Sequence, residues 1–165
     1  MPRGGEDDDA LRATNLDLIT ALGLVRGVAH AEFIKAQADG QFYFLECAAR
    51  VGGAYINEMV ETATGINLWR EWARIEVSGG DGTYELPPAH PDYAGVILSL
   101  ARQENPDTSG YNDPEVHLRI KKHHHAGLVL KSSDPHRIPS LLENYARRFA
   151  EEFMAVEPLR DKPTA

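Results

Sequence analysis

The sequence predicts an α+β fold, an antiparallel sheet with packed helices followed by a small α+β tail. Three observations predict it: two short strand-like segments flank Asp39-Gly40, apolar residues recur at helical spacing after Gly52-Gly53, and a Gly- and Pro-rich stretch separates these from a second mixed set. The length of 165 residues suits one domain or two small joined subdomains, and 42% hydrophobic content is enough to build a core.

In chain order, Asp7 to Asp9 favour a helix start, and Leu11, Leu18, Ile19 and Leu22 follow at roughly helical spacing until Gly23 or Gly27 closes the helix. Met1 to Ala10, rich in Gly and Asp, reads as a flexible lead-in without a signal-peptide core. Val28 to Ile34 and Phe42 to Cys47 are rich in β-branched and aromatic residues and form a predicted hairpin. Ile56, Met59, Val60 and Ala63 mark a helix ending at Gly65; Leu68, Trp69, Trp72 and Ala73 mark another running toward Val77. Both helices are expected on the hairpin's apolar side. Ser78 to Asp92 carries three glycines and three prolines, which places a boundary between residues 1–80 and 81–165. Beyond it, Tyr93 to Ala101, Val116 to Ile120 and Gly127 to Lys131 read as strands, and Ile138, Leu141, Leu142, Tyr145 and Phe149 as one helical face.

Composition narrows the function. With 17 Lys+Arg against 25 Asp+Glu the formal charge is −8, and Arg119 to Lys122 is the longest basic stretch, which argues against nucleic acid as the main partner. One cysteine, Cys47, excludes an internal disulfide, and no apolar run approaches the ~20 residues of a membrane span, so the expected location is cytoplasmic.

Hairpin register decides the candidate chemistry, because a one-residue slip moves every side chain to the other face. A three-residue loop of Ala38, Asp39 and Gly40 pairs Gln37 with Gln41 and sets Glu32 opposite Glu46. His30, Ile34, Phe44, Ala48 and Arg50 then share the face of the two carboxylates, and Ala31, Phe33, Tyr43, Leu45 and Cys47 form an apolar reverse face. Two carboxylates directly across a strand pair repel unless a cation or shared proton lies between them, and magnesium commonly takes one or two carboxylates plus substrate phosphates. Arg50 can hold a phosphate or carboxylate oxygen, and the Gly52-Gly53 backbone allows close approach of a ligand. A two-residue Asp39-Gly40 turn instead puts Glu32 and Glu46 on opposite faces as ordinary surface charges.

The stretch HAEFIKAQADGQFYFLECAARVGGAYINEMVETATGINLWREWA, His30 to Ala73, resembles the end of an ATP-grasp domain of the carboxylate–amine or amino-acid ligase kind: H-x-E on one strand, a second Glu on the next, Arg four residues on, then glycines and a helix ending in T-G. The resemblance implies two α+β subdomains gripping ATP, phosphorylation of a carboxylate to an acyl phosphate, and displacement of phosphate by an amine. It assigns Glu32 and Glu46 to ATP-bound magnesium or manganese, Arg50 to the transferred phosphate, and His30, Gly52 and Gly53 to the substrate side. Many members read E-x-N-x-R where this chain has Glu46, Ala48 and Arg50, which thins the metal shell and brings ECAAR closer to amino-acid ligases than to biotin carboxylase. In the family, the lysine-bearing ATP-binding half precedes the segment corresponding to Asp9 onward. The resemblance therefore implies a fragment, split subunit or truncated product that needs that half for full catalysis. The rival expectation is a non-catalytic accessory or dimerisation module, and in either case a homo-oligomer.

Other residues carry plainer expectations. Neighbours in the run His123 to His125 alternate faces on a strand and cannot share one ion, and as a turn the run is solvated; His90, His117 and His136 have no ligand spacing. Cys47 reads as a small core residue, Trp69 and Trp72 as core packing rather than an adenine platform, and Asn57 as a cap or surface residue rather than a substrate contact.

Overall fold

The computed structural model describes residues 3–78 and 84–155. The element order is α1 (Glu6–Ala21), β1 (His30–Lys35), β2 (Phe42–Ala48), α2 (Ile56–Thr64), α3 (Leu68–Val77), β3 (Tyr93–Leu100), β4 (Val116–Lys122), β5 (His125–Ser132) and α4 (Arg137–Glu152). Two compact units, Met1–Tyr93 and Ala94–Ala165, meet one residue into β3. The boundary expected between residues 80 and 81 lies outside the described residues.

In the first unit, Glu6, Asp7, Asp8 and Asp9 fill the first turn of α1, where carboxylates complement the positive end of the helix dipole. Gly23, at φ +66°, follows the C-cap Leu22 and stops the helix. Lys35 on β1 ties α1 to the hairpin through Asp7, Nζ to Oδ1 2.7 Å. No residue of α1 is buried, so its apolar stripe is only partly covered.

β1 and β2 are antiparallel, with Glu32 facing Glu46 as anticipated. The turn differs from the expected one. Gly40 N–H donates to Ala36 O and Ala36 N–H to Gln41 O, both 2.9 Å, which closes a four-residue loop with Gly40 at φ +71°. The Asp39 carboxylate accepts from Gln41 N–H and the Tyr43 hydroxyl. Beyond the loop Lys35 pairs with Phe42 and Phe33 with Phe44; a bulge then leaves Leu45 unpaired and restores the alignment that sets Glu32 on Glu46. The same bulge exchanges two side chains between faces. Phe44 lies with Phe33, ring centroids 6.2 Å apart, and Tyr43 takes the position opposite Ile34.

α2 ends at Gly65, φ +77°, and α3 is capped by Asn67, whose side chain accepts Arg70 N–H. Asn57, buried in α2, accepts the N–H of Leu68 at 3.0 Å, so it locks the start of the next helix rather than its own. Among the described residues, Val51, Ala63 and Ile66 are the buried apolar ones of this unit. α2 and α3 do not seal the hairpin: a cleft of about 380 Å³ remains, lined by Leu11, Ala31, Phe33, Ile56, Val60 and Leu68 among others.

The second unit is a three-stranded sheet in the order β3-β5-β4 with α4 against it. β4 and β5 are joined by a two-residue turn, His123-His124, with His124 at φ +56°. α4 buries Ile138, Leu141, Tyr145 and Phe149. Gly95 on β3 admits it closely, since a Cβ there would lie 2.6 Å from Ile138 Cγ2. Tyr111, Tyr145, Phe149 and Phe153 form an edge-to-face cluster with centroids as close as 4.9 Å, and Arg148 lies 3.9 Å over the Tyr111 ring. Arg137 pairs with Glu115 and Asp113, and the Tyr145 hydroxyl donates to Asp113.

Candidate functional site

The end of the hairpin away from its turn gathers the candidate residues. His30, at the start of β1, places Nε2 3.0 Å from Glu32 Oε1. Glu32 is the direct cross-strand partner of Glu46, which forms no hydrogen bond or ion pair among the described residues. Like charges in that position are destabilising unless something positive joins them. The donor set is two carboxylates, hard oxygen pairs with no thiolate, which fits magnesium or manganese better than a softer metal. No group of three or more His, Cys, Asp or Glu gathers among the described residues, so two carboxylates are what the protein offers here.

After β2 the chain turns through Arg50, Val51, Gly52 and Gly53. Arg50 is exposed, and its Nη1 donates to Val51 O at 3.0 Å, leaving the other guanidinium donors outward. Gly52 is buried, and a Cβ on it would fall 3.0 Å from both His30 Nδ1 and Ile56 Cγ2. The absent side chain is what lets His30 sit between Gly52 and Glu32. Gly53 is open, with Arg50 Nη1 3.9 Å from its Cβ position. Ala54 and Tyr55 then adopt left-handed conformations, φ +50° and +64°, directly before α2. Non-glycine residues held this way cost about 1–3 kcal/mol each, and such strain clusters where a loop must keep one shape. Nothing in the composition of Ala54-Tyr55 announces it.

Sequence reasoning also passed over Glu71. This carboxylate is 2% exposed, yet it carries Arg70 Nε at 3.2 Å, Arg74 Nη1 at 3.1 Å and the Tyr84 hydroxyl at 3.1 Å. Burial pushes its pKa up, and the three donors together outweigh that and hold it below the ordinary range. The i, i+3 spacing of Glu71 and Arg74 was the available signal. Its work is structural: it fastens Tyr84 to α3.

The remaining expectations divide. His123 and His124 form an exposed turn, with His123 Nδ1 3.3 Å from Glu104, as a solvated run should. Cys47 is half-buried opposite Ala31 rather than in a core. Trp69 is corrected outright. It is 55% exposed and stacks on Trp72 at 5.9 Å, because the face of α3 that carries it has no cover in this unit's described residues. No helix among the described residues is long and apolar enough to cross a membrane.

No sequence family and no curated protein matches the chain. Solved structures do. The L-amino acid ligase of Bacillus licheniformis aligns with 96% of this chain and 43% of its own, at 17% identity and a TM-score of 0.66. The phosphoribosylglycinamide synthetase of Anaerococcus prevotii aligns with 89% of this chain and 42% of its own, at 18% identity and a TM-score of 0.52. This chain spans about two fifths of the length of each. The α+β architecture is thus shared with part of each of these two enzymes.

Proposed function

We propose that this partial ATP-grasp fold supplies the metal-binding, phosphate-stabilising end of an ATP-dependent ligase that joins a carboxylate to an amine, with an amino acid as the carboxylate. The carrying observation is the direct opposition of Glu32 and Glu46 at the hairpin end that also bears His30 and Arg50. The fold shared with an L-amino acid ligase supports the substrate class.

In this reading Glu32 and Glu46 would hold magnesium or manganese, and the ion would supply neutralisation of phosphate charge. The carboxylate oxygen of the substrate takes the γ-phosphoryl group and ADP departs; the amine then attacks the acyl carbon, and inorganic phosphate leaves with the original carboxylate oxygen. Phosphoryl transfer is mostly positioning and charge stabilisation. Arg50 faces the transferred group, and its fork of donors suits the equatorial oxygens. His30 steadies Glu32 through the 3.0 Å hydrogen bond, and Gly52 and Gly53 leave the backbone bare where substrate approaches. The nucleotide-gripping half of the fold completes the site.

The test is calorimetric titration of magnesium with a non-hydrolysable ATP analogue into this chain, beside a Glu32→Gln, Glu46→Gln double variant. Binding by the parent and none by the variant supports the half-site; equal binding by both sinks it. A second reading, an accessory or self-associating module, rests on Ile34, Tyr43, Phe44 and Leu45, each more than half exposed on the hairpin. A monomer in size-exclusion chromatography at high concentration would exclude self-association.

A further inference from the structure

The second unit leaves one strand edge ready to pair. Its sheet runs β3-β5-β4, so β3 and β4 each have one side without a neighbouring strand among the described residues. Successive residues of a strand aim their N–H and C=O to opposite sides. Ala101 N–H donates to His124 O at 2.7 Å, which turns the odd-numbered residues of β3 toward β5. On the other side Ala155 N–H donates to Leu100 O at 3.1 Å and Arg102 N–H to Phe153 O at 2.9 Å, so the even-numbered residues face outward. Met154 bridges Ala101 in antiparallel fashion there, and this side of β3 therefore accepts an antiparallel strand. That bridge takes only the end of the edge. Outside the ladder with β5, no backbone hydrogen bond involves Ala94, Val96 or Leu98 among the described residues.

Natural sheets blunt an unpaired edge with charge, proline or a bulge. β4 has such protection: it carries Arg119, Lys121 and Lys122 and a bulge between Val116 and Leu118, and the Arg119 guanidinium donates to the Thr108 and Tyr111 carbonyls. Both strands of the first unit's sheet are edges too, and they carry Glu32 and Lys35 on β1 and Glu46 on β2. From Ala94 to Leu100, β3 reads AGVILSL, with no charge and no proline. Its apolar side chains are half-open: Ala94, Val96, Ile97 and Leu98 are partly exposed and Leu100 is 50% exposed, whereas Leu128, Val129 and Leu130 of the central β5 are fully buried. Two chains of net charge −8 repel each other, so copies meet best where neither presents charge, and β3 is that place. An antiparallel strand related by a two-fold axis offers β3 the same outward groups that β3 offers it. A strand of a different protein would find the same N–H and C=O groups but no charge on β3 to select it.

We propose that two copies of this chain pair through the outward side of β3, antiparallel about a two-fold axis, joining their three-stranded sheets into one. Amide hydrogen exchange of the full chain, read by NMR at low and high protein concentration, tests this residue by residue. The amides of Gly95, Ile97 and Ser99 face β5 and should be protected at both concentrations. Those of Ala94, Val96 and Leu98 should exchange fast when dilute. They should slow about fivefold at about ten times the dimer dissociation constant, where about one chain in five is unpaired. Sedimentation velocity should show a dimer at that concentration. Val96→Lys, which puts a charge into the edge, should stay monomeric there. Ile34→Lys, on the exposed hairpin of the first unit, should dimerise as the parent does. Exchange at Ala94, Val96 and Leu98 that does not change with concentration would overturn the proposal, and if those amides are always protected the edge is covered within one chain. A monomer at every concentration, or a dimer lost in Ile34→Lys and kept in Val96→Lys, would overturn it as well. The exchange pattern is read on the parent alone, so it decides the matter even where Val96→Lys does not fold.

Discussion

Glu46→Gln should change the sign of its effect on stability when magnesium is added. Without a divalent cation, Glu32 and Glu46 face each other across the strand pair. Coulomb's law for two unit charges about 6 Å apart in water gives about 0.7 kcal/mol of repulsion, inside the roughly 0.2–1 kcal/mol span of cross-strand pairs. Removing one charge therefore stabilises the variant by about that amount. At about 2–4 °C per kcal/mol for a chain of this size, the melting temperature in chelator should rise by about 1–3 °C. With magnesium the order reverses. A dissociation constant of about 1 mM, read at about 10 mM magnesium, adds about 1.4 kcal/mol to the parent and little to a variant with one carboxylate. The parent should then lead by about 0.7 kcal/mol. Differential scanning calorimetry of both proteins, with and without magnesium, reads all four values. A variant destabilised in chelator, or an equal magnesium increment in both, would refute the idea that these carboxylates repel each other and share an ion.

Three other perturbations have defined outcomes. Burial first, and then the Asp113 carboxylate, push the Tyr145 phenol from 10.0 up to about 12, so the fold favours the neutral form; the stability this gives is intact below pH 10.0 and is lost as pH rises to about 12. Tyr145→Phe should flatten thermal stability against pH in that window, and an unchanged slope would count against the assignment. The Glu71 carboxyl is held below 4.5, so its contribution is present above that pH and lost as pH falls through the lowered value. Glu71→Gln should be less stable than the parent at neutral pH and show a shallower acid limb in circular dichroism; a parent-like acid limb would show that other groups drive it. Gly52→Ala should cost about 1–3 kcal/mol in denaturant unfolding through its 3.0 Å contacts with His30 and Ile56, and should weaken magnesium binding, whereas Gly53→Ala should be nearly neutral. Similar costs for the two would contradict the packing given for His30.

How much was legible in the sequence depended on how local the deciding interaction was. The helix boundaries at Gly65 and Val77 followed from a positive-φ glycine and a helical apolar period, both readable within a few residues. The alignment of Glu32 with Glu46 was also foreseen, but through a different turn. A four-residue loop shifts the pairing by one and the Leu45 bulge shifts it back, so two departures cancel at the carboxylates and survive at Phe44 and Tyr43, which change faces. A bulge has no marker here, since Leu45 is as strand-like as its neighbours. Trp69 was misjudged because helical spacing tells which residues share a face and says nothing of whether anything covers it.

The two units differ in how far they support themselves, and this bears on the site. Apart from Val51, Ala63 and Ile66, the buried apolar residues, from Ala101 to Phe153, belong to the second unit. The first unit carries the carboxylate pair on a two-stranded sheet, an arrangement marginal by itself in water, beside a helix with no buried residue. Register on such a hairpin is weakly enforced, and a one-residue slip moves Glu46 to the other face. If only a fraction of the chains holds Glu32 against Glu46, the apparent dissociation constant for metal and nucleotide is the intrinsic one divided by that fraction. Any surface that covers Ile34, Tyr43, Phe44 and Leu45 raises that fraction without touching the metal. On the proposed reading, affinity measured on the uncovered hairpin is therefore a lower bound, and a partner that covers those residues should tighten magnesium binding even when it supplies no new ligand.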